Sequence, residues 1–98
     1  MRYRVRFSKE ARSHLGDLSA RERRAVLDRA EVALGVEPMR ETRNLKVLRP
    51  NPLARYEFRV GALRVFFEVR ERRREVLVLA IGRKEGNRLW VGGKETTL

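Results

Sequence analysis

The stretch "YEFRVGALRVFFEV", residues 56–69, constrains the fold more than any other part of the chain. Two alternating runs of strand-forming residues flank Gly61-Ala62, which is the signature of a β-hairpin. Folding the stretch there sets Val60 against Leu63, Phe58 against Val65 and Tyr56 against Phe67, giving one apolar face. The other face then sets Arg59 directly opposite Arg64. Like charges in that position repel, at a cost of about 1 kcal/mol or less. An anion held between two guanidinium forks would more than offset that repulsion, because their planar donors match phosphate and carboxylate. The competing reading is a solvated face on which each arginine bends away or meets a glutamate, Glu57 for Arg59 and Glu68 for Arg55.

The rest of the chain supplies what this hairpin would pack against. Residues 2–7 alternate strictly, with Tyr3, Val5 and Phe7 on one side and Arg2, Arg4 and Arg6 on the other, predicting a half-buried strand. Ser8 can cap a first helix with an apolar stripe of Ala11, Leu15 and Leu18. "SARE" at 19–22 has capping-box spacing. The second helix it starts would face the core with Val26, Leu27, Ala30, Ala33 and Leu34, and Gly35 and Pro38 would stop it. Residues 39–52 read as a basic connector ending in Pro50-Asn51-Pro52, with a short strand possible at Leu45–Leu48. "RERRRE" at 70–75 reads as a charged turn. "VLVLAI" at 76–81 is apolar on both faces and so predicts a central strand with helices on one side. The implied fold is α+β: an N-terminal strand, an αα-hairpin, then three or four antiparallel strands, in one domain spanning residues 1–98.

Composition narrows the function. The 98 residues contain no cysteine and one histidine, His14, which excludes thiolate zinc sites, cysteine nucleophiles and histidine metal clusters. No metal or other cofactor is expected. The longest apolar run has six residues, too short to cross a bilayer, and the N-terminus has no signal-peptide core. The expectation is a soluble cytoplasmic protein with no membrane partner. The net charge is +11, from 24 Lys and Arg against 13 Asp and Glu. Residues 40–98 hold fifteen basic and seven acidic groups, so the positive field is expected around the hairpin. His14 lies off the stripe of the first helix and reads as an exposed side chain. "GRKEGNR" at 82–88 reads as a basic loop leaving the central strand, and only one of Arg83 and Lys84 should face the arginine pair. Trp90 reads as a core or rim anchor that could also stack on an unpaired base.

These stretches together resemble the RelE/ParE superfamily of toxins from toxin–antitoxin pairs. The resemblance rests on "YRVRFSKEA" at 3–11, the helical hairpin, "NLKVL" at 44–48, "YEFRVGALRVFFEV", and "VLVLAIGRKEGNRLW" at 76–90, in that order along nearly the whole chain. It implies a small antiparallel sheet with helices on one face. It also implies a ribosome-dependent endonuclease that cleaves mRNA in the ribosomal A site and is neutralised by an acidic antitoxin. By position, Arg59 and Arg64 match two basic sheet residues of that branch, Arg83 or Lys84 matches the basic residue after the last strand, and Trp90 falls where a tyrosine is expected. The expected catalytic set is therefore Arg59, Arg64, Lys84 and Arg83, with Trp90, Arg88, Arg4, Arg6 and Lys46 contacting RNA. Glu57 departs from the pattern, standing where some members have a further basic residue. The alternatives the resemblance allows are a DNA gyrase inhibitor acting by binding, and a member that binds RNA or antitoxin without catalysis.

Overall fold

A computed structural model describes residues 2–98. The chain runs β1 (Arg4–Phe7), α1 (Lys9–Gly16), α2 (Ala20–Val36), β2 (Leu45–Val47), β3 (Tyr56–Val60), β4 (Leu63–Arg70), β5 (Glu75–Glu85), β6 (Arg88–Val91) and β7 (Lys94–Thr96). The helix starts follow the predicted chemistry. The Ser8 hydroxyl accepts from the Ala11 N–H at 3.1 Å. Ser19 and Glu22 close a reciprocal capping box, each backbone N–H donating to the other's side chain at 3.1 Å. Gly35 does not stop α2; the helix runs through it to Val36, and the Tyr3 N–H donates to the Gly35 carbonyl at 2.7 Å. Leu27, expected in the core, is 41% exposed, while Val26, Ala30 and Leu34 are buried.

The sheet order is β2-β3-β4-β5-β6-β7, antiparallel throughout, and β1 adds to β5 in parallel. The hairpin has the predicted register, including Arg59 opposite Arg64, with Gly61 in the left-handed region at φ 60°. The Tyr56 and Phe67 rings stack at 5.2 Å between centroids. The region expected to leave the central strand as a basic loop is instead sheet. β5 continues to Glu85, turns at Gly86-Asn87 and returns as β6, and a second turn at Gly92-Gly93 leads to β7. The sheet therefore gains strands at an edge where only a loop was predicted.

β5 is long enough to hold two partners on one edge. Residues 75–78 pair with β1 and residues 82–85 pair with β6. Between them the first helix supplies the missing partners. The Ser8 hydroxyl donates to the Leu79 carbonyl at 3.2 Å, and the Ile81 N–H donates to His14 Nδ1 at 3.1 Å. His14 is thus a backbone acceptor for the central strand, not an exposed surface group.

Both sheet faces carry a core. α1 and α2 cover the first, against residues such as Val65, Phe67, Val76 and Val78. The second lies on the opposite face, where Phe66, Ala80 and Leu89 are covered by Leu48, Leu53 and Ala54 from the connector. Asn51 shapes that connector. Its amide donates to the Arg49 and Ala54 carbonyls, and its oxygen accepts from the Leu53 and Ala54 N–H groups. Phe66 and Phe67, consecutive on β4, alternate faces and so fill opposite cores; a β-bulge that leaves Leu79 of β5 unpaired shifts the register between them.

Candidate functional site

The strand registers bring five charged side chains to one end of the helix-free face. Lys46 on β2 lies across from Glu57 on β3. Arg59, two residues on, lies across from Arg64 on β4, and Arg64 lies across from Gly82 on β5. Lys84 follows Gly82 on the same face. Its backbone N–H donates to the Ala62 carbonyl at 2.8 Å, tying that stretch of β5 to the hairpin turn. A Cβ at Gly82 would lie 2.9 Å from the Trp90 carbonyl oxygen and 3.0 Å from Leu89 Cδ1 and Val91 Cγ2. Glycine there lets β6 close against the strand that carries Lys84.

Each opposed arginine has a partner of its own. Arg59 Nε donates to Glu57 at 3.3 Å. Arg64 Nη1 donates to the Gly61 carbonyl at 2.9 Å and the Leu63 carbonyl at 3.0 Å. These contacts relieve the repulsion that the register imposes. They also leave donors on both guanidinium groups, since each carries five N–H bonds. Burial pushes the Arg64 pKa below its ordinary value; Glu57 opposes that shift and Arg59 adds to it.

Glu57 is the residue that sequence reasoning passed over as a departure. It is only 8% exposed and lies among Lys46, Arg59 and Arg64. It also lines a cleft of about 290 Å³ with Lys84, Asn87, Leu89 and the segment from Glu95 to Leu98. Its signal in the sequence was the alternation Glu57-x-Arg59, which puts a carboxylate on the arginine face.

The remaining predicted residues lie elsewhere. Arg83 and Trp90 pair with each other across β5 and β6 and face the helices, on the side of the sheet away from Arg59 and Arg64. Arg83 is bound to Glu22 at 2.8 Å. The Glu22 carboxyl is held below its usual range, first by the Ser19 N–H and then by Arg83. Trp90 lines a cavity of about 440 Å³ with His14, Asp17, Leu18 and Leu63, and its indole N–H is buried without a partner. Neither residue shares the surface of the arginine pair. Arg88 meets Glu95 at 3.9 Å, and Arg4 and Arg6 lie at the far end of the helix-free face. The apolar cover over Phe66 separates that end from Arg59 and Arg64.

Among the described residues no group of three or more His, Cys, Asp or Glu side chains could hold a metal ion. No helix among them is long and apolar enough to cross a membrane.

No family model matches the chain, and no curated protein sequence matches it. Solved structures do. A chain of the toxin–antitoxin complex RelBE2 from Mycobacterium tuberculosis superposes with a TM-score of 0.75 at 28% identity, covering 86% of this chain and 93% of that one. A chain of the archaeal RelE–RelB complex from Pyrococcus horikoshii OT3 superposes with a TM-score of 0.70 at 24% identity, covering 89% and 99%. The N-terminal strand, the helical pair and the antiparallel sheet make this an α+β chain with the RelE fold, a structural match to the RelE toxins over most of its length.

Proposed function

We propose that this chain is the toxin of a toxin–antitoxin pair and that it cleaves mRNA in the ribosomal A site, using the cluster on the helix-free face. The observation that carries the reading is the buried Glu57 set among Lys46, Arg59, Arg64 and Lys84. RNA cleavage of this kind needs no metal. The 2′-oxygen attacks the adjacent phosphorus, the P–O5′ bond breaks, and the products are a 2′,3′-cyclic phosphate and a 5′-hydroxyl. Glu57 takes the 2′-hydroxyl proton. The free N–H groups of Arg59 and Arg64 hold the non-bridging oxygens as charge builds on them, which is where preorganised donors contribute most. Lys84 stands on the same face to neutralise and protonate the leaving 5′-oxygen. Arg83 and Trp90 have no part in this step, because they face the helices.

An acidic antitoxin is the partner this reading requires. A +11 chain with the fold of proteins found in RelB complexes supports it.

The test is induced expression without antitoxin, with cellular mRNA 5′ ends mapped over a few minutes. New cuts within translated frames, lost in Arg64→Ala while the protein stays folded, are the expected result. Growth arrest without such cuts, with filamentation and damaged DNA, would replace this reading with gyrase inhibition.

A further inference from the structure

We infer that the far end of the helix-free face is a second phosphate site, built on an Arg6–Glu75–Arg70 triad, that grips the backbone of structured RNA. The inference deepens the reading above and rests on RNA being the substrate, but it concerns different residues. Glu75 opens β5 and is 8% exposed. One of its carboxylate oxygens accepts from Arg6 Nη1 at 3.2 Å and the other from Arg70 Nη1 at 3.4 Å. Arg4 and Arg70 flank Glu75 in register on the two neighbouring strands. Arg72 and Arg73 stand exposed in the turn that follows β4.

A single buried carboxylate thus fixes two guanidinium groups side by side. Each spends one N–H on Glu75 and stays at least half-exposed, with side-chain exposures of 61% for Arg6 and 50% for Arg70. Planar donors held in this way match a phosphate bidentately, and their ordering cost is met in the fold before any ligand arrives. All the cations at this end are arginine, the residue suited to phosphate forks.

The position argues for a bulky, stiff polyanion. Arg70 lies six residues beyond Arg64 on β4, on the order of 20 Å at strand rise. The Leu48, Leu53 and Ala54 cover stands between the two basic ends, so a short strand bound at Arg64 does not lie flat across to Arg70. A folded RNA can rest a second phosphate run there, and double-stranded RNA is recognised mainly through such backbone contacts.

The test measures binding of two labelled probes, an RNA hairpin and a single-stranded pentanucleotide, across a range of salt. For the hairpin, the double variant Arg6→Ala/Arg70→Ala should lose about tenfold in affinity near 0.1 M salt. Its log K against log salt slope should fall by roughly two, the loss of two phosphate contacts. Pentanucleotide binding should change less than twofold. Arg6→Lys/Arg70→Lys, which keeps charge and fold, should retain the slope and lose affinity through the missing fork. An unchanged hairpin slope in the alanine variant would overturn the site. So would loss of binding to an acidic peptide in place of the hairpin, which would make this end a protein-docking surface. Neither readout involves cleavage. A chain that cuts nothing but loses hairpin affinity sinks the nuclease and keeps this site; the reverse result does the opposite.

Discussion

At the scale of single residues, the β3–β4 register sets Arg59 against Arg64, with Glu57 buried two residues before Arg59. The opposition of the two arginines follows from a two-residue turn and strand alternation, and the structure has that register. What alternation cannot reveal is where each guanidinium goes, because that depends on the Gly61 and Leu63 carbonyls and on how deeply Glu57 is covered. Arg83 and Lys84 illustrate the same limit. The sequence requires them to face opposite ways, and only the β4–β5 register, shifted by the bulge, decides which faces Arg64. Glu57→Gln keeps the size and the Arg59 contact but cannot take a proton, so RNA cleavage should fall by about a hundredfold or more. Antitoxin binding should persist. Cleavage within a few-fold of wild type, read from a defined RNA on isolated ribosomes, would remove Glu57 from the mechanism.

At the scale of elements, the helices were readable from their caps, and the central strand from its two apolar faces. The second core was not, since it needs a proline-flanked loop to fold over Phe66, and nothing in "PNPLA" announces a partner across the sheet. The role of α1 was equally hidden. It reads as an amphipathic helix, yet it also fills the gap in the edge of β5 with Ser8 and His14. His14→Ala removes the acceptor of a largely enclosed backbone N–H, which costs about 1–3 kcal/mol. In a domain of this size each kcal/mol lowers Tm by roughly 4–8 °C. Thermal unfolding checks the size of the effect, and amide exchange at Ile81 should accelerate more than at Val65, its partner across the β4–β5 ladder. Equal protection of the two amides in the variant would mean that water replaces His14 without loss.

For the whole molecule, charge along the chain is a poor map of charge in space. The excess sits in the second half of the sequence, but β1 from the first half carries Arg4 and Arg6 to the same face. Glu22 accepts from the Ser19 N–H and pairs with Arg83 of the sheet at 2.8 Å, and these two contacts give stability a pH dependence. The Glu22 carboxyl titrates lower in the folded chain than in the unfolded one. Its contribution is therefore complete above the ordinary carboxylate range and disappears as pH falls through the lowered folded value. Thermal unfolding of the wild type and of Glu22→Gln should differ most at neutral pH, and the gap should narrow on acidification towards pH 3. A gap constant with pH would mean that the carboxylate charge favoured by the Ser19 N–H and Arg83 is not what stabilises the fold.

The parallel pairing of β1 with β5 also has a consequence in time. Ser8 finds its partner carbonyl 71 residues later, at Leu79. At a synthesis rate of about 5–20 residues per second, the apolar side of β1 waits several seconds before the strand it adds to exists. Until then Tyr3, Val5 and Phe7 have only the helical hairpin to shelter against. The helices made directly after β1 are thus its temporary cover during translation and its neighbours once the sheet has formed.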